Sequence, residues 1–143
     1  MSADGMTDEA IRALLMNTQR IAVVGASANP SRPSFGVTGF LVDRGFDVTP
    51  VNPGLAGQQL HGSTVAASLA EAGKLDMVDI FRRSEEVGAV VDEAIRLGAR
   101  TVWMQLGIVD AAAAARAREA GLTVVMDRCP LIEWRRLGMA MSA

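Results

Sequence analysis

Tyrosine is absent from this 143-residue chain, histidine and cysteine occur once each, and Lys74 is the only lysine. Aromatic residues make up 4% against 50% hydrophobic overall, so an aliphatic core is expected. A lone cysteine, Cys129, excludes an internal disulfide framework and fits a reducing compartment. No apolar run approaches the roughly 18 residues that a membrane helix needs. Asp4, Asp8 and Glu9 stand where a secretory leader would be basic and then apolar. A formal charge of −2 provides no basic field for nucleic acid. The expectation is a single cytoplasmic domain over residues 1–143, with no metal site and neither nucleic acid nor membrane as partner.

What is present is a cycle. Short apolar runs at residues 21–24, 48–51, 77–81, 102–106 and 122–126 alternate with helix-like stretches that stop at Gly45, Gly73, Gly98 and Gly121. Continuous apolar runs of this length suit strands buried on both faces, and the alternation implies a parallel sheet. After Ser84, which is expected to be the N-cap, Val87, Val90, Val91, Ala94 and Ile95 follow one helical stripe. Thr7 is expected to cap a helix over about residues 7–17, and Asp110 one that starts at Ala111. Residues 128–143 show no clear period and are read as a tail. The pattern predicts an α/β, Rossmann-like, doubly wound sheet of five parallel strands in three layers, order 3-2-1-4-5. Ligands of such sheets sit at the carboxyl ends of the strands, near the point where the winding reverses.

The loop after the first run reads Gly25-Ala26-Ser27-Ala28-Asn29-Pro30-Ser31-Arg32-Pro33-Ser34. Glycine permits a sharp turn, a following helix offers free N–H groups, and Ser27, Ser34 and Arg32 add donors for phosphate. The competing reading is a solvated loop with Ser34 as a helix cap. The dinucleotide pattern G-x-G-x-x-G is missing, since Ser27 takes the second glycine's place. No acid follows the second strand, where Val51-Asn52-Pro53-Gly54 stands instead. A Walker loop is absent altogether. A pyrophosphate-bearing ligand other than NAD fits these departures.

Five motifs then combine: Gly25-Ala26-Ser27 with Arg32-Pro33-Ser34; Val51-Asn52-Pro53; Asp76 through Arg82; Trp103-Met104-Gln105-Leu106-Gly107; and Asp127-Arg128-Cys129-Pro130. Together they resemble the small stand-alone CoA-binding proteins of the YccU-like type, over about residues 21–138. That family is similar in fold to the N-terminal domain of the succinyl-CoA ligase alpha chain. The resemblance implies that Gly25, Ala26 and Ser27 approach the CoA diphosphate, with Arg32 and Ser34 nearby. It implies that Val51, Asn52 and Pro53 border the adenosine, that Phe81 and Arg82 border the ligand, and that Gln105 and Gly107 flank the pantetheine arm. Phe81, Arg82 and Gln105 each have a competing reading in packing or loop support.

Catalysis has weaker signs. His61 reads as a surface loop residue, and the ligase's phosphohistidine domain has no counterpart here. Asp76 and Asp79 flank the third run without forming an acid–base pair. Cys129, beside Arg128, is either a packed thiol or a partner for the CoA thiol. The leading expectation is a non-catalytic protein that binds CoA or acyl-CoA, for sensing or regulation. The alternatives are an NAD(P)-dependent oxidoreductase and a subunit that needs a catalytic partner. An apolar end at residues 137–141 is a reason to expect a homodimer.

Overall fold

The computed structural model describes residues 2–139. Five parallel strands form the sheet: β1 (Arg20–Val24), β2 (Asp47–Val51), β5 (Met77–Ile80), β6 (Thr101–Met104) and β7 (Thr123–Val125). A small antiparallel hairpin, β3 (Gln59–Leu60) with β4 (Ser63–Thr64), interrupts the passage from β2 to β5. Helices α1 (Asp8–Asn17), α2 (Pro33–Asp43) and α5 (Pro130–Arg136) share one face, through α1–α5 and α2–α5 contacts. The other face carries α3 (Ser84–Arg96) and α4 (Ala111–Glu119), packed on each other. The Rossmann-like α/β class and its five strands are as expected. No helix among the described residues is long and apolar enough to cross a membrane.

The strand order differs from expectation. The sheet runs β2-β1-β5-β6-β7, which is 2-1-3-4-5 for the long strands, not 3-2-1-4-5. The reason lies in the segment that ends at Gly73. It is not a helix but the hairpin and a short 3-10 turn, Ala70–Ala72. Leu69 and Leu75 of that segment pack into the same cluster as Val87 and Val91 of α3 and Ala113 of α4. The face above α2 is already filled by α1 and α5. The chain therefore returns across β1 on the α3 side, and β5 pairs with β1.

Alternation divides the core. Ile21, Val23, Met77, Trp103 and Val125 join the cluster of α1, α2 and α5, whereas Ala22, Val24, Val78, Ile80, Val102 and Met104 join that of α3 and α4. Thr7 caps α1 by accepting from the Ala10 amide at 3.1 Å, and Asp110 caps α4 from Ala113 at 2.9 Å. The Ser84 cap is not formed. Arg83 is the N-cap residue and its carbonyl already accepts from Glu86, so Ser84 is the first helical residue. Pro50, which has no N–H, is tolerated in β2 because β2 is an edge strand.

Two more expectations change. The tail contains α5, whose Trp134 is buried and meets Phe40 and Phe46 edge-on. The apolar end at residues 137–141 is described only to Met139; residues 140 and 141 lie outside the described residues. His61 is not a free surface group. Its ring lies 4.4 Å from that of Phe35, and Nε2 is 2.9 Å from the Phe35 carbonyl oxygen, so it fastens the hairpin to α2. Gly39 admits this ring, since a Cβ there would meet His61 Cε1 at 2.8 Å. Gly39→Ala is expected to cost about 1–3 kcal/mol by overpacking, despite alanine's better helix propensity. In a His61→Ala background the same change should become neutral or stabilising. Equal costs in both backgrounds, measured by urea unfolding, would remove His61 from the account.

Candidate functional site

Where the winding reverses, α2 leaves β1 on one face and α3 leaves β5 on the other. A crevice must open between them at the carboxyl ends of the strands. It does: a cleft of about 1030 Å³ is lined from the β1–α2 loop, the loops after β5 and β6, and α5. Ten of the twelve expected residues line it: Gly25, Ala26, Ser27, Arg32, Ser34, Asn52, Phe81, Arg82, Gln105 and Gly107. Val51 and Pro53 do not. Val51 is buried in the α3–α4 cluster, and Pro53 is exposed in a 3-10 turn, Pro53–Leu55.

The first loop is built to approach other backbone closely. Gly25 has φ of 89°, and a Cβ on it would lie 2.3 Å from the Phe81 carbonyl oxygen. The amides of Gly25 and Ala26 both donate to the Val51 carbonyl. Asn52 braces the turn from the neighbouring strand. Its Nδ2 donates to the Ala26 carbonyl at 2.8 Å while Oδ1 accepts from the Gly54 amide at 2.8 Å. Ser27 Oγ accepts from the Asn29 amide, and Asn29 Oδ1 in turn accepts from the amide and hydroxyl of Ser31. The loop is thus ordered by its own side chains before any ligand arrives.

Charge at the rim is uneven. Arg32 is the N-cap residue of α2 and makes no side-chain cap bond, so Ser34 does not cap either; it is buried in the first turn. Arg83 lies 3.8 Å from both Glu85 and Glu86. Arg32 and Arg82 have no acidic partner of this kind among the described residues. Two unneutralised guanidinium groups and the positive end of α2 therefore border one opening. Glu85 at the α3 end is the one acid in the lining.

Sequence reading missed the apolar wall. Leu106, Ile108, Leu131 and Ile132 line the cleft, and Leu106 and Ile132 stay largely exposed. Leu131 and Ile132 come from α5, too short to show a period. Cys129 also lines the cleft and is buried. Arg128 is not positioned as a free cation for its thiol. It donates to Asp4 at 2.9 and 3.0 Å, to Glu133 at 2.6 Å and to the Met6 carbonyl. Asp127, at φ of 57°, accepts from the Gly107 amide at 2.7 Å and fixes the loop after β6. A second depression, about 730 Å³, opens at the amino ends of β1 and β2, beside Arg12, Arg20 and Arg44.

The fold and this cleft define a Rossmann-like domain with a cation-bordered, partly apolar ligand crevice. Residues 19–135 match the model of a CoA binding domain family, so the chain belongs to that CoA binding domain family. It is 38% identical over 120 residues to "Uncharacterized protein YneT" of Bacillus subtilis, covering 83% of this chain and 87% of that protein. A hypothetical protein from Pyrococcus horikoshii superposes with a TM-score of 0.89 at 37% identity, over 96% of each chain. A Thermus thermophilus structure, cell-free ID.343, gives 0.87 at 38% identity over 92% of this chain and 99% of that one.

Proposed function

We propose that this chain binds coenzyme A or an acyl-CoA in the cleft at the carboxyl ends of β1, β5 and β6, as a binding, sensing or regulatory protein without chemistry of its own. The observation that carries the reading is the cleft's division into a cationic rim, Arg32 and Arg82, and an apolar wall, Leu106, Ile108, Leu131 and Ile132. CoA has the same division, with phosphates at one end and a long arm at the other. Membership in the CoA binding domain family supports the same ligand. About 1030 Å³ is room for a ligand of this size.

Calorimetry tests it directly. CoA is expected to bind, and Arg32→Ala to weaken it by about 1.5–3 kcal/mol through loss of a charge-assisted phosphate bond. An unchanged affinity would leave Arg32 as solvent decoration. In a thermal-shift comparison CoA should raise the midpoint and NADH should not. The reverse result would transfer the cleft to a nicotinamide ligand.

A further inference from the structure

Asp79 has no place in the account so far. It sits within β5 with Val23 of β1 and Trp103 of β6 as its register neighbours, and it is 0% exposed. Burial pushes the pKa of its carboxyl well above the ordinary carboxylate range. Gln105, just after β6, is 5% exposed and lines the cleft. The end of its amide that faces Asp79 lies 2.7 Å from Oδ1 and 3.2 Å from Oδ2.

Two arrangements fill this contact. If Asp79 is ionised, Nε2 of Gln105 must point inward and donate to both carboxyl oxygens, which leaves Oε1 at the cleft. If Asp79 is neutral, its hydroxyl donates to Oε1, which leaves Nε2 at the cleft. A fully buried carboxylate without a cation is strongly disfavoured, whereas a neutral acid in an apolar site makes a good donor. A neutral Asp79 facing Nε2 would have a buried hydroxyl without an acceptor. The first arrangement pairs both side chains but buries a charge without a cation; the second gives the Asp79 hydroxyl its acceptor and buries none.

We propose that Asp79 is a positioning residue, which fixes the Gln105 side chain so that Nε2 faces the cleft as a donor for a carbonyl oxygen of the ligand. The inference rests on the CoA reading, because the CoA arm carries amide carbonyls and a thioester adds another. Gln105 thereby reads the arm and not the nucleotide. Asp79 acts only through Gln105.

The test has a part that needs no ligand. The infrared band of a protonated buried carboxyl should be present at neutral pH and absent from Asp79→Asn. A spectrum showing only ionised carboxylates overturns the proposal whether or not CoA binds. With ligand, Gln105→Met should weaken CoA by about tenfold, the scale of one lost hydrogen bond. It should leave the affinity for the CoA nucleotide lacking its arm unchanged. Asp79→Asn, whose amide can still donate to Oε1, should keep CoA affinity within about threefold. Asp79→Val, if folded by its melting profile, should approach the Gln105→Met value. Equal weakening of CoA and of the armless nucleotide by Gln105→Met would make Gln105 a shaping residue and overturn the proposal. Failure of the wild-type protein to bind CoA at all sinks the functional reading instead, and the infrared result stands apart from it.

Discussion

Gly25→Ala is expected to destabilise the domain by about 3 kcal/mol and to abolish measurable ligand binding. Two effects add. An L side chain at φ of 89° is strained, and its Cβ would stand 2.3 Å from the Phe81 carbonyl oxygen. That oxygen is backbone in a loop tied to β1 by the Phe81 amide, which donates to the Val24 carbonyl at 2.8 Å. It cannot swing aside as a side chain would. Gly107→Ala is the control, with φ of 78° but nothing within 4 Å of the added Cβ. That variant should show only the strain, about 1 kcal/mol. Chemical unfolding of both proteins decides the matter; equal losses would mean that close approach to Phe81 is unimportant.

Arg128→Ala should be the other large effect, a loss of about 3–5 kcal/mol. The Arg128 side chain is 13% exposed, and its partners Asp4 and Glu133 are 0% and 7% exposed. Without the guanidinium, two nearly buried carboxylates stand without their shared cation. Burial alone would raise the pKa of Asp4. The hydrogen bonds from Arg128 and from the Met126 and Met6 amides outweigh it and hold the carboxyl below its usual range. Glu133 follows the same pattern, with burial opposed by bonds from Arg136 and Arg128. A carboxyl whose pKa is lowered on folding contributes stability above its unfolded pKa, and that contribution is lost as pH falls through the folded value. Wild-type stability should therefore fall below about pH 4, and the fall should be much smaller in Arg128→Ala. Urea unfolding at neutral and acidic pH is the measurement. A neutral-pH loss under about 1 kcal/mol would show that solvent screens these ties.

Much of the sheet was legible because each strand is a self-contained signal. The runs near Ile21, Val48, Met77, Val102 and Val124 all became strands, with ends moved by a residue or two. Neighbour relations are a different matter. Nothing local in Leu69 or Leu75 says which face of the sheet will receive them, and that choice decides where β5 lies. The cleft was legible where function rests on short motifs at strand ends, as at Gly25 and Gln105. It was illegible at Leu131 and Ile132, because a seven-residue helix has no period to read. Asn52 was noticed for its position, but its work as a brace of the Ala26 carbonyl depends on a contact across 26 residues. The ties from Arg128 to Asp4 span 124 residues, beyond any window of sequence pattern.

Those ties have a consequence for how the molecule is made. Asp4 leaves the ribosome 124 residues before its cationic partner Arg128, and Asp8 128 residues before Arg136. Until then the early acids face water, and α1 lacks the neighbour that covers its side. The nascent chain can lay down β1, β2 and β5 in turn, but it fastens Asp4 and Asp8 only after Arg128 and Arg136 have emerged.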